Sequence, residues 1–433
     1  MTNEELARAD REVLWHPFTQ MRGWQEEDPV LVEHAHGTTL VDTQGREYID
    51  GVSSLWCNVH GHRHPHIDAA VRAQLDRVAH STMLGLSHPG AAELGVRLLG
   101  IAPEGLARVF YSDNGSTACE IALKMAFQYW QHMGDHGRTK FVYLRNSYHG
   151  DTVGSVSVGG IDLFHHMYAP LLFEGFAAEP GDVEGLRALL DEHRDEIAAV
   201  IVEPLVQGAA GILCQPEGYL RAVRHECDDH DIFLICDEVA TGFGRTGTMF
   251  ACQQEGVTPD FMTVAKGLTG GYLPLAATLT TERVYEGFLG EFQEFKTFFH
   301  GHSYTGNPLA CAAAIATLEV FEAERTLEAL APKIELLWHW LDEMVAPLPG
   351  VREVRGRGLM VGIELEGFAL EARIGHEVTL AARRRGAIIR PLGDTIVLMP
   401  PLSIEQFELR RLVEITAGAI AEATGAAELP LAA

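Results

Sequence analysis

Ile232-Phe-Leu-Ile-Cys-Asp237-Glu238 and Phe261-Met-Thr-Val-Ala-Lys266-Gly267 are short, mostly apolar runs that each lead into a charged side chain. Runs of this kind suit strands buried on both faces, as in a parallel sheet covered by helices. Upstream the pattern repeats at Arg108-Val-Phe-Tyr111, Phe141-Val-Tyr-Leu144 and Ala198-Ala-Val-Ile-Val202, with helical apolar spacing from Thr117 to Trp130. The alternation predicts an α/β fold with a large, mostly parallel sheet. Ligands of such sheets bind just beyond the carboxyl ends of the strands, where Asp237 and Lys266 fall.

The C-terminal part reads differently. A helical stretch from Glu322 to Met344 precedes Gly356–Glu364, read as one strand, then a basic helix through Arg383-Arg-Arg385 and the runs Ile388-Ile389 and Ile396–Leu398. That is the pattern of a small α+β lobe. Leu40–Asp50 reads as a hairpin around Gln44-Gly45. A chain of 433 residues is too long for a single core. The expected division is an N-terminal segment, 1–60, joining the small lobe; a large α/β domain, 61–325; and a small α+β domain, 326–433.

A net charge of −27 excludes a nucleic-acid footprint and disfavours anionic membranes. The first ten residues carry charges where a secretory signal needs an apolar run. The seven cysteines are unpatterned, as expected of reduced thiols. Together these predict a cytoplasmic protein.

Four features could meet at the strand ends. Asp237 supplies a carboxylate. Lys266, partly desolvated, becomes a nucleophile toward an aldehyde. Ser112-Asp-Asn-Gly115-Ser116-Thr117 joins a strand to a helix and suits a phosphate at the helix N-terminus. Tyr148-His149-Gly150 can set an aromatic ring against a flat heterocycle. These are the parts that a pyridoxal 5'-phosphate site requires. Each alone reads more plainly as a turn, a cap or a solvated charge; their order and placement favour the site.

Asp237-Glu-Val-Ala-Thr-Gly-Phe-Gly-Arg-Thr-Gly247 with Ala265-Lys266-Gly-Leu-Thr-Gly-Gly271 resembles the signature of the class III aminotransferases, of the pyridoxal-phosphate-dependent transferase fold type I. Trp15–Met21, Ser53–Gly61, Lys124–Trp130, Tyr148–Thr152, His300–Asn307 and Ile389–Gly393 are similar to the 7,8-diaminopelargonate branch of biotin synthesis. The resemblance implies amination of 8-amino-7-oxononanoate to 7,8-diaminononanoate. It implies Lys266 as the Schiff-base lysine, Asp237 on the pyridinium nitrogen, and Tyr148 stacked on the ring. Gly115 and Ser116 would bind the phosphate, helped by His302 and Ser303 from a neighbouring subunit, so a homodimer is expected. Phe18, Leu55, Asp151, Gly301 and Arg390 would line the substrate pocket, with Arg390 on the substrate carboxylate. Glu203 matches a glutamate beside the cofactor.

Glutamate-using relatives carry an arginine where this chain has Val397, which disfavours glutamate as donor. The branch implies S-adenosylmethionine. Phe18, Leu55, His302 and Ser303 depart from the common pattern, and His300–Asn307 with Leu163–His166 looks closer to a lysine-using type, so L-lysine stays open as donor. Two further readings also stay open: another ω-aminotransferase of diamines or β-amino acids, and a catalytically silent pyridoxal-phosphate carrier or regulator.

Three motifs read as decoys. Gly242-Phe-Gly-Arg-Thr-Gly247 fits the dinucleotide pattern, but Asp237 and Glu238 would repel a pyrophosphate, so a turn is expected. His60-Gly-His-Arg-His-Pro-His66 lacks zinc spacing; Gly61 and Pro65 suggest a loop and no metal. Asn114-Gly-Ser116 is a formal glycosylation sequon, without weight absent a secretory signal.

Overall fold

The structure, a computed structural model, describes residues 1–426. Its centre is a seven-stranded sheet. In chain order the strands are β1 (Leu106–Ser112), β2 (Lys140–Leu144), β3 (Phe176–Ala178), β4 (Ile197–Val202), β5 (Phe233–Asp237), β6 (Phe261–Val264) and β7 (Ala276–Thr281). Their spatial order is β1-β7-β6-β5-β4-β2-β3. β7 runs antiparallel to both its neighbours, and the other strand pairs are parallel. Every residue of β4, β5 and β6 is buried, as expected of strands without polar alternation. β3 and β7 escaped the sequence reading. β3 has three residues, and β7 (Ala-Ala-Thr-Leu-Thr-Thr) is too rich in alanine and threonine to read as an apolar run.

The helix Gly115–Met133 packs on the sheet, and its Tyr129 and Trp130 rings pack with Phe233 of β5 at 4.9 Å between centroids. At its start the Asn114 side chain accepts the Thr117 N–H, and the Thr117 hydroxyl accepts the Asn114 N–H, closing a capping box.

Three local readings are corrected. Gly356–Glu364 is not one strand but part of a hairpin, Val351–Arg357 against Met360–Leu365, because Gly358 reverses the chain at φ +63°. The helical stretch after Glu322 is interrupted: Pro308–Ala323 ends, Arg325 takes φ +50°, and Thr326–Met344 begins. Pro65 is no loop marker. It opens the helix Pro65–Leu75, where its missing N–H costs nothing and the His64 ring accepts the His66 N–H.

The small antiparallel sheet joins Val351–Arg357, Met360–Leu365, Thr395–Leu398 and Arg390–Leu392. A separate sheet pairs Glu47–Asp50 of the N-terminal hairpin in parallel with Ala387–Ile388, so the two ends of the chain share a ladder. Among the described residues no helix is long and apolar enough to cross a membrane.

The sheet's dependence on its aromatic packing can be measured. Phe233, fully buried among Tyr129, Trp130 and Phe261, should lose about 3–5 kcal/mol of stability as Phe233→Ala. The readout is the shift in the urea unfolding midpoint.

Candidate active site

Parallel strands bring their carboxyl ends to one edge. Cys236 of β5 lies beside Val202 of β4, and Asp237 lies beside Thr263 of β6. Glu203, Asp237 and Lys266 therefore project from neighbouring strand ends, as the strand-end rule requires. They line a cavity of about 570 Å³ together with Gly115, Ser116, Tyr148 and His149. Leu55 and Trp56 of the N-terminal segment line it as well.

Asp237 is buried, and burial alone would raise its carboxyl. The opposing effects win: His149 Nδ1 donates to Oδ2 at 2.7 Å, the Val239 N–H to Oδ1 at 3.0 Å, and the Cys119 thiol to Oδ2 at 3.4 Å. The carboxyl is held below its ordinary range, an anion inside the protein. Cys119, His149 and Asp237 place their ligand atoms within 4.8 Å of one another. Burial pushes the Cys119 thiol far up, so it stays protonated and these atoms spend themselves on mutual hydrogen bonds.

Lys266 follows β6 after Ala265, opens a 3-10 turn and takes φ +45°. Burial draws its amine down, against the pull of Asp237 and Glu203, and its Nζ stands 4.8 Å from the centroid of the Trp56 ring. Glu203 is pushed up to about 7 by burial, helped by the Asp237 charge. Its Oε1 accepts the Tyr148 N–H at 3.0 Å and its Oε2 the Gly208 N–H at 2.8 Å.

The helix N-terminus meets the tyrosine loop here. The Asp151 N–H donates to Ser116 Oγ at 3.0 Å, and Tyr148 donates its hydroxyl to Asp151 Oδ2 at 2.8 Å. Gly150 makes the approach possible, since a Cβ there would stand 2.0 Å from Ser116 Oγ. A Cβ at Gly115 would stand 2.6 Å from Val239 Cγ1. A buried anion, an amine drawn down by burial, and a helix start opened by Gly115 around one cavity fit pyridoxal phosphate.

Of the residues expected at the site, Lys266, Asp237, Tyr148, Gly115, Ser116 and Leu55 line the cavity. Asp151 and Arg390 lie outside the lining, Asp151 exposed and accepting the Tyr148 hydroxyl. Arg390, on its strand in the small sheet, is drawn down by burial, with Tyr148 acting in the opposite sense. Phe18, 59% exposed at φ +51°, lies outside the cavity lining. So do Gly301, His302 and Ser303, and the His302 ring lies 3.9 Å from Asp113 of its own chain. The sequence does not single out His149, Trp56 or Cys119. The first two sit inside quoted motifs; nothing local marks Cys119.

The decoys resolve on geometry. The four histidines at 60, 62, 64 and 66 turn to four different partners, namely the Thr317 carbonyl, Asp50, Glu324 and Glu319. Gly242–Gly247 forms a turn, followed by the short 3-10 helix Ala251–Glu255 and not by a substantial α-helix.

The chain belongs to the class III aminotransferases: the family model described as Aminotransferase class-III matches residues 21–420. It is an enzyme of pyridoxal-phosphate-dependent transamination. A relative from Nitratidesulfovibrio vulgaris, an adenosylmethionine-8-amino-7-oxononanoate aminotransferase, is 56% identical over 97% of this chain and 82% of its own. The solved structure of the enzyme so named from Methanocaldococcus jannaschii matches with TM-score 0.95 at 44% identity, covering 97% of this chain and 99% of that one. An amine transaminase from an uncultivated Pseudomonas species, solved in its PLP-bound form, matches with TM-score 0.89 at 37% identity over 95% and 99% of the two chains.

Glu203 gives a test with a definite sign. The folded protein keeps its proton to about pH 7, whereas an ordinary glutamate releases it near 4.5. Between those values the native state binds the extra proton, so this group's contribution to stability falls as pH rises, by up to about 3 kcal/mol. Glu203→Gln should flatten that part of the profile and gain on the parent from pH 5 to pH 8 in urea unfolding.

Proposed function

We propose that the enzyme transfers an amino group to 8-amino-7-oxononanoate, forming 7,8-diaminononanoate in biotin synthesis, with S-adenosylmethionine as donor. One observation carries the acceptor side: Arg390 and Val397 are directly paired across the small sheet, so their side chains share a face. Arg390 makes no ion pair among the described residues, and Val397 is fully buried. The same face carries Arg355, but that guanidinium is ion-paired to Glu353 and Glu364, so Arg390 is the one left for an acceptor with one carboxylate, and Val397 supplies no further cation for glutamate. The names of the relatives support both the acceptor and the donor.

Bound pyridoxal phosphate supplies an aldehyde that links to amines and a ring that draws electrons from the carbon beside the nitrogen. In this reading Lys266 holds the cofactor at rest and moves the proton at the reacting carbon. Asp237, kept anionic by His149, holds a proton on the ring nitrogen. Tyr148 stacks on the ring, and Gly115 and Ser116 present the helix start to the phosphate. Arg390 orients the acceptor by its carboxylate. Leu55 shapes the substrate pocket, Asp151 holds the Tyr148 hydroxyl at its edge, and Phe18 and Gly301, outside the lining of the single chain, join the pocket in the proposed homodimer.

His302 and Ser303 lie outside their own cavity, beside the exposed rings of Phe299 and Tyr304. That placement supports a homodimer in which they reach the partner's phosphate. The proposed compartment is the cytoplasm, where the seven free cysteines stay reduced.

The donor is tested by half-reaction. S-adenosylmethionine added to the holoenzyme should bleach the visible cofactor band, and glutamate should not; bleaching by lysine alone would overturn the donor. Arg390→Ala should raise KM for the oxononanoate on the order of a hundredfold while the spectrum of the bound cofactor is unchanged. Unchanged KM would remove the acceptor assignment.

A further inference from the structure

The turn that imitates a dinucleotide motif has another use. Phe243, Gly244 and Gly247 take φ of +55°, +87° and +105°, and the turn they make directs Arg245 inward. Arg245 is 2% exposed and forms no ion pair among the described residues. Burial draws its guanidinium down to about 10, which leaves it cationic at neutral pH. A buried cation without a carboxylate is costly, so its acceptors identify its task. Nη1 donates to the Pro400 carbonyl; Nη2 donates to Ser53 Oγ at 2.8 Å and to the Asn58 carbonyl at 2.6 Å.

Those acceptors are the two ends of one loop and the end of a small-lobe strand. Within the loop Ser53, Ser54 and Trp56 adopt φ of +51°, +63° and +63°, a conformation costly for residues other than glycine that persists only when its surroundings impose it. Asp50 supports the middle by accepting the Ser54 N–H at 2.7 Å, and Ser53 Oγ donates to the Met399 carbonyl at 2.7 Å. Leu55, Trp56 and Cys57 of this loop form one wall of the cavity, with the Trp56 ring against Lys266.

We infer that Arg245 is a positioning residue of the active site, whose guanidinium locks the Ser53–Asn58 loop in its left-handed turns and so sets the Trp56 and Leu55 wall opposite Lys266. The planar fork suits this work, since two nitrogens reach separate acceptors in a fixed geometry that a single ammonium cannot reproduce. The inference rests on the cavity being the transaminase site, and not on which donor is used.

The test compares the holoenzyme with Arg245→Lys and Ser53→Ala, neither of which lies in the cavity lining. Hydrogen exchange should accelerate on the order of tenfold at amides 52–58 and stay unchanged in the helix Gly115–Met133. KM for the acceptor should rise about tenfold with kcat within about threefold, because a displaced wall costs binding more than chemistry. Exchange needs no substrate, so it decides the inference even if the acceptor assignment fails. Folded variants with parental exchange in the loop overturn it, as does acceleration spread evenly over the protein. If Arg245→Lys does not fold, Ser53→Ala decides by the same two readouts, with the same sign and a smaller size.

Discussion

The negative charge of Asp237 has to survive inside the protein. A carboxylate at that depth would ordinarily take up a proton, and a protonated Asp237 could not hold a proton on a ring nitrogen. The 2.7 Å hydrogen bond from His149, with the Val239 N–H and the Cys119 thiol, reverses that tendency. Much of the central sheet and the helix packed on it serves this arrangement. β5 delivers the carboxylate, the loop after β2 delivers the histidine, and the helix Gly115–Met133 delivers the cysteine. Glu203, beside the same charge, is left with its proton until about pH 7, so the strand edge carries one firm anion and one yielding acid.

The opposite wall is built on a different principle. There the backbone is held in left-handed turns at non-glycine residues, and stability comes from anchoring both ends of the loop. A buried arginine that among the described residues meets oxygen dipoles and no carboxylate, with Asp50 bracing the middle of the loop, ties together three parts of the chain: the N-terminal segment, the turn after β5, and the strand end at Pro400. The strand ladder between Glu47–Asp50 and Ala387–Ile388 joins the same N-terminal segment to the C-terminal part of the chain. The cavity therefore lies between a rigid sheet edge and a wall that depends on long-range polar contacts.

The sequence by itself determined the α/β class, the strand ends and the site residues that follow them. Apolar runs such as Ala198–Val202 and Phe261–Val264 report burial on both faces, and the residue after such a run falls at the sheet edge whatever the strand order. Lys266, Asp237, Gly115, Ser116 and Tyr148 were legible for that reason, helped by motifs that resemble those of the class III aminotransferases. Short or weakly apolar strands such as β3 and β7 gave no comparable signal, and glycines that reverse the chain within an apolar run, as at Gly358, hid a hairpin inside one apparent strand.

The tertiary structure alone decided which partners these residues meet. Nothing local says that His149 will reach Asp237, 88 positions along the chain, or that Cys119 will stand behind both. The same holds for Arg245, which the sequence places in a turn without any sign that its acceptors lie at Ser53, Asn58 and Pro400. Hydrogen bonds and burial depend on distance in space, and they hold Asp237 down, push Glu203 up and draw Lys266 down. A residue's chemical type can be read from the sequence; its charge and its task were settled when the chain closed around it.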